Sequence, residues 1–218
     1  MPARSRANPL ALAVLACLYE RPMHPYEVAT TLRQRHKDDS VRLNFGSLYG
    51  VVESLERRGL IQAEATKRSG RLPERTVYAI TDAGLIEMHD WLTELIATPA
   101  KEYPALQAAL SFLPALPPDD VVALLSERAS RLETQLAAAA GARERVQKMG
   151  LPRLLWVEGQ FAVALRRAEL DFVRQLIRDI ETGALDGTQW WREVHERADE
   201  PAWQPPIGDS QSYDEGSR

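Results

Sequence analysis

Residues 44–80 read NFGSLYGVVESLERRGLIQAEATKRSGRLPERTVYAI. The hydrophobic period changes within this run. Leu48, Val51, Val52 and Leu55 recur at helical spacing, which predicts a short one-sided helix. Asn44 is a good N-cap for it, and Leu43 with Leu48 takes the staple positions on either side of that cap. Gly59 follows Arg57 and Arg58, so two cations sit at the negative end and a glycine stands just past it. From Leu60 to Ala65 the pattern alternates, with Ile61, Ala63 and Ala65 on one side. Thr76–Ile80 is β-branched and aromatic, and reads as a second strand. The hairpin tip between the strands is basic: Lys67, Arg68, Arg71 and Arg75 outweigh Glu74.

Upstream, residues 1–8 read as a loose basic arm. Pro9 to Glu20 carries Leu10, Val14, Leu15 and Leu18 at helical spacing, and Arg21-Pro22 ends it. His24 is the expected N-cap of a second helix, with Pro25 at the first helical position and Glu27 at the third. Met23 and Val28 take its staple positions, and the helix is expected to run to about His36. Lys37 to Ser40 is a polar connector. Downstream, Thr81 caps a helix that continues to about Ala97. The order helix, helix, helix, strand, basic tip, strand is that of a winged helix-turn-helix.

Pro99, Pro104, Pro114, Pro117 and Pro118 interrupt the chain next and mark a boundary. A long helix opens at Asp119 or Asp120 and runs to about Lys148; Gly150 and Pro152 separate it from another, about Arg153 to Thr182. Phe161, Leu165, Ala168, Phe172, Leu176 and Ile180 form one stripe on that last helix. Beyond Gly183 the composition turns to Gly, Pro, Asp and Ser, with Trp190-Trp191 the exception. The expected architecture is mainly α. Residues 1–98 form a winged helix-turn-helix of three helices and a two-stranded wing. Residues 99–183 form a helical dimerisation and effector domain, and 184–218 a flexible tail.

Charge agrees with this division. Residues 1–80 hold 13 Lys+Arg against 8 Asp+Glu, a net of +5, while the remaining 138 hold 14 against 23, a net of -9. A basic first third on an acidic chain points to a polyanion met by that third. A single cysteine, Cys17, cannot form an internal disulfide, which fits a reducing cytoplasm and, for a DNA-binding chain, the nucleoid. Cys17 itself reads as a small buried hydrophobe. No apolar run is long enough to span a bilayer, and Pro9–Leu18 is too short for a signal peptide. The four histidines lack metal-ligand spacing, and no phosphate loop or nucleophile motif is present, so no cofactor, metal or catalytic residue is assigned.

The third helix is the expected reading element. Asn44, Gly46 and Ser47 keep its first turn small, and Ser47, Tyr49, Gly50, Glu53, Ser54 and Arg57 lie on its outer face. Lys67, Arg68, Arg71 and Arg75 can straddle a neighbouring phosphate backbone or minor groove, or form a solvated tip. Tyr26 either packs within the helix-turn-helix or touches a phosphate. Phe161, Leu165, Phe172, Leu176 and Ile180 are the candidate dimer seam, with Val121, Leu125, Leu132 and Leu136 of the preceding helix covering part of the stripe. Trp91, Phe112 and Trp156 can line a pocket for an apolar effector between the domains, or be core. Two other function classes stand beside a DNA-binding regulator. One is a winged-helix protein-interaction module without a DNA role, against which the polar outer face argues. The other is an enzyme, for which no constellation is visible.

Residues 9–84 also resemble the PadR family of bacterial transcriptional regulators. The matching pieces are His24-Pro25-Tyr26-Glu27, Gly46-Ser47-Leu48-Tyr49, Leu55-Glu56-Arg57-Arg58-Gly59-Leu60-Ile61, Arg71-Leu72-Pro73-Glu74-Arg75-Thr76-Val77-Tyr78 and Thr81-Asp82-Ala83-Gly84. Residues 118–182 resemble the helical C-terminal domain of the family's longer members. The resemblance implies a homodimer on an operator DNA duplex, often a repressor, sometimes released by a small aromatic or phenolic effector. It also implies DNA contact by Tyr49 and Ser47. Gly50 stands where many relatives carry Arg or Pro, which puts one contact in doubt.

Overall fold

The structure is a computed structural model and describes residues 8–67 and 75–197. The chain divides into two compact units, residues 1–102 and 103–218.

The first unit holds α1 (Pro9–Glu20), α2 (Pro25–Gln34), α3 (Phe45–Arg57), β1 (Ile61–Lys67), β2 (Arg75–Ile80) and α4 (Asp82–Ala97). The caps read from the sequence are present. The His24 ring nitrogen Nδ1 accepts from the Tyr26 amide at 3.1 Å, and Glu27 reaches back to the His24 amide. The Asn44 side chain accepts from the Ser47 amide at 2.7 Å. The sequence reading placed Asn8 in the loose arm. Asn8 instead caps α1, accepting from Leu10 at 2.9 Å and Ala11 at 3.3 Å. α2 stops short of the expected His36, because His36 adopts a left-handed conformation at φ 54° and the chain turns into a 3-10 segment, Lys37–Asp39.

β1 and β2 pair antiparallel from Ile61↔Ile80 to Lys67↔Arg75, with a bulge between Ala63 and Ala65. Met23 adds a bridge to Tyr78 through two backbone bonds of 3.0 Å, so the staple residue of α2 also edges the sheet. The core gathers Val14, Leu15, Val28, Leu48, Leu55, Ile61 and Trp91 from every helix and from β1. The exit from the wing is built tightly. The Thr81 hydroxyl donates to the Gly59 carbonyl at 2.7 Å and accepts from the Gly84 amide at 3.1 Å, while the Thr81 amide donates to the Leu60 carbonyl. A Cβ on Gly84 would stand 2.1 Å from that same Leu60 oxygen, so glycine is required there.

The second unit holds α5 (Ala105–Leu110), α6 (Pro118–Lys148), α7 (Val157–Thr182) and α8 (Thr188–Glu196). α6 and α7 form an antiparallel pair around Val121, Leu125, Ala129, Leu132, Leu170, Val173 and Ile180. Arg128 binds Glu169 across the pair, and Arg174 binds Glu133. The helix expected from Arg153 begins as a 3-10 turn, Arg153–Trp156, and becomes α-helical at Val157. α5 was not foreseen in the proline-rich stretch.

The expected tail from residue 184 is corrected by α8. Trp191 is buried in the core, its indole N–H donates to the Leu116 carbonyl at 2.8 Å, and His195 Nε2 bonds the Pro114 carbonyl at 2.9 Å. Composition misled there because the polar, proline-containing stretch lies beyond residue 197, outside the described residues. Among the described residues no helix is long and apolar enough to cross a membrane.

Candidate nucleic-acid interface

α3 buries Leu48, Val52 and Leu55, half-buries Val51 and Ser54, and turns the rest of its surface outward. Three strips result from its 3.6-residue turn. Gly46, Gly50, Glu53 and Arg57 run along the centre of the exposed face. Phe45 and Tyr49, one turn apart, form the flank toward α2. Ser47 and Ser54, two turns apart, form the opposite flank. Ser47 is exposed, but Ser54 is half-buried beside Asn8, Val51 and Arg58 in a cleft of about 90 Å³, which turns it away from the open face.

The central strip has no packing reason to be glycine. A Cβ on Gly50 would meet nothing within 4 Å, and one on Gly46 only Asn44 Oδ1 at 3.8 Å. Glycine inside a helix costs roughly 0.5–1 kcal/mol relative to alanine, and no contact among the described residues calls for it at these two positions. What two stacked glycines do provide is a shallow track along which another surface can approach the α3 backbone closely. Tyr49, 43% exposed, stands beside that track.

Asn44 acts through its cap, fixing where the first turn begins and so where Ser47 stands. Tyr26 neither packs inward nor stands alone: it is 55% exposed, and its ring stacks on Phe45 with centroids 6.1 Å apart and planes 12° apart. The Arg33 guanidinium lies over the Phe45 ring at 4.6 Å from its centroid. Phe45 and Arg33 were missed from the sequence. The one-turn spacing from Phe45 to Tyr49 was the available signal. The wing rises beside α3, braced by the Tyr78 hydroxyl, which donates to Glu56 at 3.3 Å. Burial of the phenol, then the nearby Glu56 charge, raises the Tyr78 pKa. The backbones of Lys67 and Arg75 pair at the last described rung of the ladder. Arg68 and Arg71 lie outside the described residues.

Of the other candidates, Trp91 belongs to the first unit and the rest of the effector and seam residues to the second. Trp91 is buried in the first core, with the Arg58 guanidinium 5.4 Å from its ring centre. Phe112 is exposed and lines an open cavity of about 560 Å³ in the second unit, with Leu116, Leu124 and Leu125, with Arg166, and with the ion pairs Arg128–Glu169 and Arg131–Glu127. Trp156 lines neither that cavity nor the cleft beside Ser54. Of the proposed seam, Phe161, Leu165 and Phe172 are exposed, 66%, 56% and 50%, and Leu176 is half-buried. Ile180 is fully buried against α6 and α8 and has no surface to give a partner, so its assignment to the seam is corrected. Cys17 lies in the first core, and burial pushes its thiol up to about 11, away from redox-sensing chemistry.

Residues 14–90 match the family model described as the transcriptional regulator PadR-like family. No curated protein sequence matches the chain. Several solved structures share its fold, three of them as follows. Bacillus subtilis PadR in complex with operator DNA is 18% identical with a TM-score of 0.63, covering 78% of this chain and 97% of that one. Bacillus subtilis PadR in complex with p-coumaric acid is 16% identical with a TM-score of 0.64, covering 79% and 98%. The Vibrio cholerae virulence activator AphA is 14% identical with a TM-score of 0.61, covering 79% and 98%. At such identities the likeness is one of fold. The first unit thus has the winged-helix fold of PadR-like regulators, a family of transcription factors and not of enzymes.

Proposed function

We propose that the chain is a transcriptional repressor that binds an inverted-repeat operator as a homodimer and is released by a small aromatic or phenolic effector. The observation that carries the reading is the outward strip of α3. Two glycines that the fold does not need, flanked by exposed Tyr49 and Ser47, suit close approach of a helix to a major groove. Tyr26, Asn44, Gly46, Ser47, Tyr49 and Gly50 form the reading surface. Lys67, Arg68, Arg71 and Arg75 supply phosphate contacts from the wing. A protein-binding face would be more apolar than this strip, which disfavours an interaction module without DNA.

The exposed Phe161, Leu165 and Phe172 on α7 support a two-fold seam, since an apolar strip of that size on a free surface calls for a partner. Two α3 helices related by a two-fold then meet half-sites about one or two helical turns apart. The cavity at Phe112 falls within the usual size range of small-ligand sites, about 300–1,000 Å³, and its apolar wall suits a small aromatic ligand; its Arg128 and Arg131 are paired with Glu169 and Glu127, so an acid would have to compete for them. The relative crystallised with p-coumaric acid supports that ligand class. An occupied operator denies the same DNA to other proteins, which sets repression as the proposed sign.

The test is a gel-shift titration at physiological salt against the chain's own upstream region and random DNA. A clear preference for the upstream fragment is expected. Replacing Arg71 and Arg75 by alanine is expected to make the log–log salt dependence shallower by roughly one unit per lost phosphate contact. An aromatic acid such as p-coumaric acid is expected to weaken the shift. Equal binding to both DNAs sinks the operator reading; a salt slope unchanged by the double variant removes the wing from it.

A further inference from the structure

We propose that Phe45 reads the 5-methyl group of a thymine in each half-site, and that Tyr26 and Arg33 hold its ring in position to do so. The inference rests on the DNA-binding reading above. Phe45 is the first residue of α3, directly after the Asn44 cap. The N-terminal residues of a reading helix are the ones that reach base edges in such folds. Its ring is 39% exposed and belongs to neither hydrophobic core, so it does little to hold the unit together. A large apolar ring left in water normally has several rotamers open to it. Here the Tyr26 ring stacks on it and the Arg33 guanidinium sits 4.6 Å from its centre, which restricts it.

The chemistry of the major groove selects the partner. Thymine alone presents an apolar group there; the other bases present hydrogen-bonding edges. A phenyl ring pressed on an adenine or cytosine amino group would strip its water and return no hydrogen bond. Pressed on a thymine methyl, the same ring removes apolar surface from water on both sides. Arg33 has the further property that its charge stands beside this contact, where a phosphate can meet it.

The experiment removes only that methyl. Full-length protein is titrated against its operator and against duplexes in which symmetry-related thymine pairs are replaced, one pair at a time, by deoxyuridine. One pair is expected to cost the wild-type protein about three- to tenfold in affinity, as the loss of one buried methyl per half-site should. In Phe45→Ala the same replacement is expected to cost nothing further. Phe45→Leu keeps an apolar contact and is expected to retain part of the penalty, which guards against reading a folding defect as specificity. If the wild type prefers its operator but no thymine penalty depends on residue 45, this inference is overturned and the regulator reading stands. If the wild type shows no preference for any duplex, the regulator reading itself has failed.

Discussion

The two units solve the problem of burial differently. The first closes its core: among its described residues 17 buried apolar side chains from four helices, β1 and the adjoining turns pack together, Leu15, Leu48 and Leu55 among them. The second buries only eight among its described residues and leaves Phe112, Leu154, Leu155, Phe161, Leu165 and Phe172 in water. The α6–α7 pair has one shared interface, to which Trp191 of α8 adds, and among the described residues of the second unit nothing buries the side of α7 that carries Phe161, Leu165 and Phe172. The first unit also leaves Tyr19 on α1 and Ile86, Leu92, Leu95 and Ile96 on α4 in water, but its centre is closed, and on α3 it exposes glycine, serine and aromatic rings. The second is open along α7, where the proposed seam lies.

The largest effect should come from that open side. Replacing Phe161 and Phe172 together by aspartate puts charge on a seam without touching a core residue. Sedimentation should show a monomer, and operator affinity should fall by about 10²–10⁴ as the two half-sites cease to be held by one molecule. Thermal unfolding should shift downward, because the variant loses the stabilisation that self-association adds. A dimer that persists in this variant would show that the open face of α7 is not the seam, and the contrast between the units would need another cause.

Within the second unit, Trp191→Ala tests whether α8 is part of the fold. The substitution removes a buried indole and its bond to Leu116, and should cost about 3–5 kcal/mol by denaturant titration. A change below 1 kcal/mol would return residues 184–197 to the status of an appendage. The closed unit is tested at its tightest point by Gly84→Ala. A Cβ facing the Leu60 oxygen forces α4 away from the end of α3, and a loss of about 1–3 kcal/mol is expected from overpacking. Circular dichroism melts would check it. The smallest effect belongs to the surface. Arg35 hydrogen-bonds Glu20 and lowers its pKa. A carboxylate with a depressed folded pKa adds stability that is present above the unfolded value and fades as pH falls through the folded one. Both side chains are nearly half exposed, so Glu20→Gln should cost under about 1 kcal/mol at neutral pH and nothing in acid. A melting-temperature difference that grows on acidification would contradict the assignment.

How much of this was legible in the sequence follows from where the determinants lie. The caps at His24, Asn44 and Thr81 are local: each depends on a side chain and an amide two or three residues away, so spacing alone revealed them. The change of period at Gly59 is local too, and it carried the wing. The split of α7 is not local. Phe172 and Val173 are adjacent and equally apolar, and only the position of α6 decides that Val173 is buried and Phe172 is not. The stripe drawn through Phe161, Leu165, Phe172 and Ile180 therefore joined residues that end in different environments. α8 failed for the same reason, since the pocket that holds Trp191 is made by Leu116, 75 residues earlier. In the interface, outward residues on α3 could be read from one helix, whereas the Tyr26–Phe45–Arg33 group needs two helices in register.

The joint at Thr81 has a mechanical consequence. One hydroxyl ties the carbonyl that ends α3 to the amide that begins α4, and Gly84 leaves no clearance between them. A hinge needs slack and this linkage has none, so the start of α4 is clamped to the turn that follows α3. If α3 reads DNA as proposed, a rotation of the first turn of α4 would be felt at the base of α3 and not absorbed at the joint.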